Sequence, residues 1–203
     1  MKETGAAGAR IGVLALQGDF ALHAKALAQC GVEAVEVRKP AELGEVDGRI
    51  MPGGESTTLL KLMDAWDFVP AIEKFHRAAK PIFGTCAGLI LLAREVQSPQ
   101  QFSLGLIDVS VERNAYGRQR ESFEASGTAK LGPEPTQLEM VFIRAPRIKR
   151  VGPGVDVLAE RNGEPVMARQ DRVLVATFHP ELTDETKVHR YFCDMVEASR
   201  VAA

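Results

Sequence analysis

The residues best equipped for chemistry are Gly84-Thr85-Cys86-Ala87-Gly88, a nucleophile flanked by glycines between the buried run Pro81-Ile82-Phe83 and the apolar stretch Leu89 to Ala93. A nucleophile on a tight strand-to-helix turn needs small neighbours, because the backbone is crowded and the next helix packs closely. A helix start beneath Cys86 favours negative charge on sulfur and aims backbone N–H groups at a developing oxyanion. The alternative is a cysteine buried as a small hydrophobe, the usual fate of the residue. The two glycines and the preceding strand argue against that. Cys30 and Cys193 lack such surroundings and read as structural.

A nucleophilic cysteine needs a base, and the histidines are His23, His76, His179 and His189. His179 follows the apolar run Val173 to Phe178 and opens His179-Pro180-Glu181. Proline disfavours helix for the residue before it, so the segment is expected to be extended, with positions 179 and 181 on one side. Glu181 would then fix the imidazole tautomer and stabilise the imidazolium, completing a Cys-His-carboxylate triad. His23, His76 and His189 fall in helical stretches and read as solvated or internally satisfied histidines.

Pro52-Gly53-Gly54-Glu55-Ser56 also lies between a strand and a helix, at the edge of the sheet where open α/β folds bind ligands. Locally it reads equally well as a plain turn with Ser56 as the helix cap. No Lys-Ser/Thr pair follows the glycines, as a phosphate-binding loop would require.

These segments need a scaffold. Strands are expected at Ile11–Leu16, Val32–Val37, Arg49–Met51 and Pro81–Phe83, with helices from Asp19 to Gln29, Ser56 to Met63 and Val69 to Ala79 between them. That alternation implies a parallel sheet covered on both faces. The second half is richer in strands: Ile107–Glu112, Phe123–Lys130, Met140–Ile143, then Val155–Arg161 and Glu164–Gln170 around an Asn162-Gly163 hairpin turn, and Val173–Phe178. Val188, Tyr191, Phe192, Met195 and Val196 recur at helical spacing and close the chain. The predicted fold is α/β, three-layered, with a mostly parallel, flavodoxin-like central sheet and added antiparallel strands. Residues 1–10 read as a flexible tail and 11–203 as one domain.

Composition sets limits. Of 203 residues 45% are hydrophobic and 26% charged, an ordinary globular balance, and 25 basic against 27 acidic residues give a net charge of −2. No general field exists to hold nucleic acid or an anionic membrane. Arg144, Arg147, Lys149 and Arg150 form a basic cluster, expected in part at a protein contact. The opening residues do not read as a signal peptide, and no apolar stretch approaches the roughly 20 residues of a membrane span. Three widely spaced cysteines suggest a reducing compartment, hence the cytoplasm. No metal or cofactor site is expected.

The cysteine elbow, the paired glycines and His179-Pro180-Glu181 resemble those of class I, triad-type glutamine amidotransferases. Leu14-Ala15-Leu16-Gln17-Gly18, Gly53 to Thr58, Glu112 to Gln119, Phe142 to Pro146 and His179 to Leu182 are similar, more narrowly, to the glutaminase subunits of pyridoxal 5′-phosphate synthase. The resemblance implies Cys86 as nucleophile, His179 as acid/base and Glu181 as its orienter. It also implies an oxyanion hole from Gly54 and Ala87, and glutamine binding by Gly53, Gly54, Glu55, Arg113, Ile143 and Arg144. A free amino acid carries a carboxylate suited to arginine and an ammonium suited to a glutamate. The implied activity is hydrolysis of L-glutamine to L-glutamate and ammonia. The ammonia would pass to a synthase subunit that builds pyridoxal 5′-phosphate from a pentose phosphate and a triose phosphate, leaving this chain without a cofactor. Leu22 departs from the pattern, standing before His23 where many relatives carry Glu-His; neither residue belongs to the triad, so the consequence is confined to partner contact.

Two other readings remain open from the residues: another cysteine-elbow hydrolase, of the γ-glutamyl hydrolase or protease/deglycase type, and a non-catalytic assembly subunit that kept the fold.

Overall fold

The computed structural model describes residues 8–113 and 122–202. Asn114 to Gln119, part of the motif noted above, and most of the expected tail lie outside them. Arg10, expected in the tail, instead opens the first strand. Its backbone N–H donates to the Asp47 carboxylate at 2.9 Å and its guanidinium to Glu33 at 3.0 Å.

The first half alternates as expected: β1 (Arg10–Leu14), α1 (Phe20–Gln29), β2 (Glu33–Val37), β3 (Gly48–Met51), α2 (Ser56–Ala65), α3 (Phe68–Arg77), β4 (Ile82–Thr85) and α4 (Ala87–Leu92). The second half adds β5 (Ala93–Gln97), β6 (Ile107–Glu112), β7 (Ser122–Ala129), β8 (Thr136–Ile143), β9 (Arg147–Val151), β10 (Asp156–Arg161), β11 (Glu164–Gln170), β12 (Val173–Ala176) and α5 (Lys187–Val201). Nine strands form one sheet in the order β2-β1-β3-β4-β12-β11-β10-β7-β8. The run from β2 to β12 is parallel, and from β12 outward each pairing is antiparallel. Asn162 and Gly163 both adopt positive φ, 53° and 76°, as a type I′ hairpin turn requires.

The central strands are apolar throughout because both of their faces are covered. Leu14, Met51, Ile82, Val173 and Val175 join Leu59, Met63, Ile72 and Leu89 of α2, α3 and α4 in one core cluster. Their strand neighbours Val13, Ile50, Phe83, Leu174 and Ala176 join Leu27 of α1 and Phe192 and Val196 of α5 in the other. This alternation produces three layers.

Two strands were not foreseen. β5 continues directly from α4, whose unbroken apolar run hides the change from helical to extended backbone, and it pairs with β6, which pairs with β9 in a separate three-stranded sheet. β9 carries most of the basic cluster. There Arg147 pairs with Glu164 at 3.5 Å, Lys149 with Glu112 at 3.8 Å and Arg150 with Asp108 at 2.7 Å.

Candidate active site

Four loops leave the carboxyl ends of the adjacent parallel strands β1, β3, β4 and β12 and converge. β1 lies between β2 and β3, so the strand order reverses there and the loops after β1 and β3 diverge. Such a reversal opens a crevice in an α/β sheet.

Cys86 stands between β4 and α4 with φ 47° and ψ −102°, a strained conformation for a side chain other than glycine. Its glycine neighbours make the turn possible. A Cβ at Gly84 would stand 2.6 Å from Leu92 Cδ1 and 2.7 Å from the Gly88 carbonyl carbon, and one at Gly88 would overlap the Met51 carbonyl oxygen. The elbow is thus pressed against its own helix and against β3. The Cys86 thiol donates toward the Ile143 carbonyl at 3.8 Å, placing the end of β8 beside the sulfur.

His179 follows β12, its backbone N–H donating to Val141 O of β8 at 2.8 Å. The expected extended geometry gives way to a 3-10 turn over Pro180–Leu182, which tolerates proline at its first position. The turn still brings the pair together: His179 Nδ1 lies 2.8 Å from Glu181 Oε1, with both residues buried. Burial alone would lower the imidazole's affinity for a proton. The hydrogen bond with Cys86, that with Glu181 and the negative charge of both override it and raise His179 to about 10. Glu181 moves the opposite way. Burial pushes it up, yet the charge of His23 and the hydrogen bonds from His179 and His23 hold it well below the usual carboxylate range.

The glycine loop after β3 closes over this pair. A Cβ at Gly53 would overlap His179 Cε1 and lie 3.3 Å from Cys86 Cβ; Gly54 has φ 145°, open to glycine alone. Gly18, at φ 87°, supports the loop from β1, with no room for a side chain against Gly53 O. The Gln17 carboxamide, oriented by its partners, donates to Glu55 O and accepts from Glu55 N–H, both at 3.0 Å.

Glu55, rather than Ser56, caps α2. Its carboxylate accepts from the N–H groups of Thr57 and Thr58 at 3.2 and 2.7 Å and from both threonine hydroxyls. Burial works against the charge, but these bonds lower the group to about 2. Arg113, largely buried, reaches to 3.7 Å from Glu55. Ile143 is half-buried. Arg144 is exposed, with φ 42°, next to the carbonyl that faces the sulfur. Ala87 is buried at the start of α4, where first-turn N–H groups lack intrahelical partners.

The ligand atoms of Asp19, His179 and Glu181 all lie within 4.8 Å of one another. Two of the three already serve each other in the acid–base pair, which accounts for the grouping without an ion. Asp19 occupies the cap position of α1, as expected, but its side chain makes no cap hydrogen bond.

Sequence reasoning missed two residues at this site. His23 and His189 are fully buried, and His23 Nε2 lies 3.3 Å from Glu181 Oε2. The position of His23 beside the triad glutamate corrects the expectation that its surroundings bear only on partner contact. The signal available was periodicity: His23 lies one turn from Leu27, and His189 shares a face with Phe192 and Val196.

The fold and the cysteine elbow are those of class I glutamine amidotransferases. A crystal structure of a glutamine amidotransferase, 46% identical, superimposes with a TM-score of 0.86 over 92% of this chain and 98% of that one. PurLQS from Thermotoga maritima, at 16% identity and a TM-score of 0.68 over 97% of this chain and 99% of that one, shares the fold. The chain belongs to the SNO glutamine amidotransferase family, whose model matches residues 13–198. Among its relatives is the pyridoxal 5′-phosphate synthase subunit PdxT of Koribacter versatilis, 54% identical over 92% of this chain and 95% of that protein. That of Desulforudis audaxviator is 49% identical over 93% and 99%.

Proposed function

We propose that the chain hydrolyses L-glutamine to L-glutamate and ammonia with Cys86, His179 and Glu181, and delivers the ammonia to a pyridoxal 5′-phosphate synthase subunit. The observation that carries this reading is the Cys86–His179–Glu181 arrangement under the Gly53-Gly54 loop, with the imidazole raised to about 10. An imidazolium and a thiolate then coexist at neutral pH. The thiolate attacks the side-chain amide carbon, and its oxygen becomes an oxyanion facing the N–H groups of Gly54 and Ala87. His179 gives its proton to the departing ammonia, leaving a γ-glutamyl thioester. Water then attacks that carbonyl as His179 takes a proton back, and glutamate leaves with the thiolate restored. Glu181 keeps Nδ1 protonated throughout.

The substrate's α-carboxylate is assigned to Arg113 and Arg144, and its ammonium to Glu55, with Ile143 and the loop glycines shaping the pocket. Cys30, Cys86 and Cys193 are unpaired, which suits a reducing cytoplasm. Among the described residues no helix is long and apolar enough to cross a membrane. The other cysteine-elbow hydrolases are not favoured, since relatives near 50% identity over almost the whole chain are PdxT subunits. The test is ammonia release from glutamine with and without the synthase subunit. Release that rises on adding the synthase and vanishes in Cys86→Ala supports the proposal; an active Cys86→Ala protein rejects it.

A further inference from the structure

We propose that His23 and His189 are positioning residues for the reaction: His23 holds the second oxygen of the Glu181 carboxylate, and His189 holds His23. The inference rests on the triad reading given above and extends it across two helices.

Glu181 has two carboxylate oxygens, and His179 Nδ1 occupies Oε1 at 2.8 Å. Oε2 lies 3.3 Å from His23 Nε2 and has no other polar neighbour in hydrogen-bonding geometry among the described residues. His23 Nδ1 lies 2.9 Å from His189 Nε2. The groups facing His23 are therefore Glu181, His189, the Thr85 hydroxyl at 3.3 Å from Nε2 and the edge-on ring of Phe83. Thr85 immediately precedes the nucleophile.

The proton positions follow from this geometry. A neutral His189 that donates from Nε2 makes His23 Nδ1 the acceptor, so the His23 proton sits on Nε2. If His189 accepts instead, a neutral His23 would turn a bare lone pair toward the carboxylate, which is repulsive, and the remaining option is an imidazolium carrying both protons. In either workable arrangement His23 presents Nε2–H to Glu181 and Thr85. Burial, with the nearby charge of His23, lowers His189 to about 3 and keeps it neutral.

A carboxylate held by one donor can turn about its own bonds; one held at both oxygens cannot. With its carboxylate fixed, the His179 ring is fixed relative to Cys86. Burying two imidazoles between α1 and α5 costs desolvation that an apolar pair would avoid. Besides Thr85, the polar group His23 serves through Nε2 is the catalytic carboxylate.

Amide side chains separate this role from packing. Gln places its NH₂ where His23 has Nε2, and Asn places its NH₂ where His23 has Nδ1. In the complex with the synthase subunit, His23→Asn should lower kcat for glutamine about 10- to 100-fold, the range typical of lost outer-layer partners, with KM changed less than about twofold. Its acid limb should move to higher pH, because Glu181 loses a donor to its charged form. His23→Gln should restore most of kcat and the acid limb. Circular dichroism and the alkylation rate of Cys86 by iodoacetamide report that both variants are folded. Equal kcat and equal acid limbs in folded Asn and Gln variants would overturn the role of His23. A wild-type complex that releases no ammonia would instead overturn the proposed function.

Discussion

Gly53 and His179 are in direct contact: the backbone of the loop lies against the imidazole edge and leaves no volume for a side chain. The oxyanion loop and the acid–base residue therefore share one fixed spacing, although they belong to different strands. Gly53→Ala should displace the ring or the loop and lower kcat on the order of 100-fold, the usual cost of a misplacement near 1 Å. Steady-state ammonia release, with circular dichroism to establish folding, measures this. A Gly53→Ala protein with wild-type kcat would show that the two parts move independently.

Glu181→Gln tests the orienter. The amide can turn its NH₂ toward Nδ1, favouring the wrong imidazole tautomer, and kcat should fall on the order of 10³-fold, within the range known for the equivalent change in serine hydrolases. KM should change little. Glutamine saturation curves read both quantities.

The pH dependence has a defined sign at each end. His179 is raised from 6.5 to about 10, so the imidazolium and the stability it contributes are fully present below 6.5 and are lost as pH rises through about 10. Hydrolysis should fall over that alkaline range, because the leaving ammonia loses its proton donor. Alkylation of Cys86 by iodoacetamide needs no such donor and should keep its rate. Glu181 is lowered, so its contribution is complete above the ordinary value of about 4.3 and disappears as pH drops through its lower folded value. Parallel rate and alkylation profiles would contradict the assignment.

Arg113 and Glu55 lie 3.7 Å apart and are assigned opposite ends of the substrate. Arg113→Ala should raise KM about tenfold or more with a smaller effect on kcat, as expected for a lost charge-assisted contact. Glu55→Gln has a second effect, because that carboxylate caps α2; a loss of roughly 1 kcal/mol in unfolding free energy should accompany the rise in KM. Denaturant titration separates the two.

Gly88 has no room beside the Met51 carbonyl. Gly88→Ala should destabilise the protein by about 1–3 kcal/mol through overpacking, and alter the elbow with it. Thermal unfolding and Cys86 alkylation should change together.

The parallel core was legible in the sequence because Ile11 to Leu14, Ile50-Met51 and Ile82-Phe83 are buried on both faces and read as unbroken apolar runs. Cys86 was legible because its glycines answer a local steric need. β5 and β9 were not, because Arg94, Glu95, Lys149 and Arg150 are exposed and carry charge where a strand pattern would alternate. The links from His23 to Glu181 and His189 were invisible for another reason. Periodicity placed each histidine on a helix, but which helix faces lie beside the catalytic turn depends on tertiary packing. The capping role of Glu55 was hidden by Ser56, a stronger cap by residue type.

β12 sits in the middle of the nine-stranded sheet, bonded to β4 on one side and β11 on the other. The nucleophile therefore emerges from the ribosome long before its proton donor, and the intervening chain must fold outward as a hairpin array before the last central strand can slot in. A nascent or nicked chain missing that strand displays a thiol with no imidazole beside it. Premature glutamine consumption by half-made protein is prevented by topology alone.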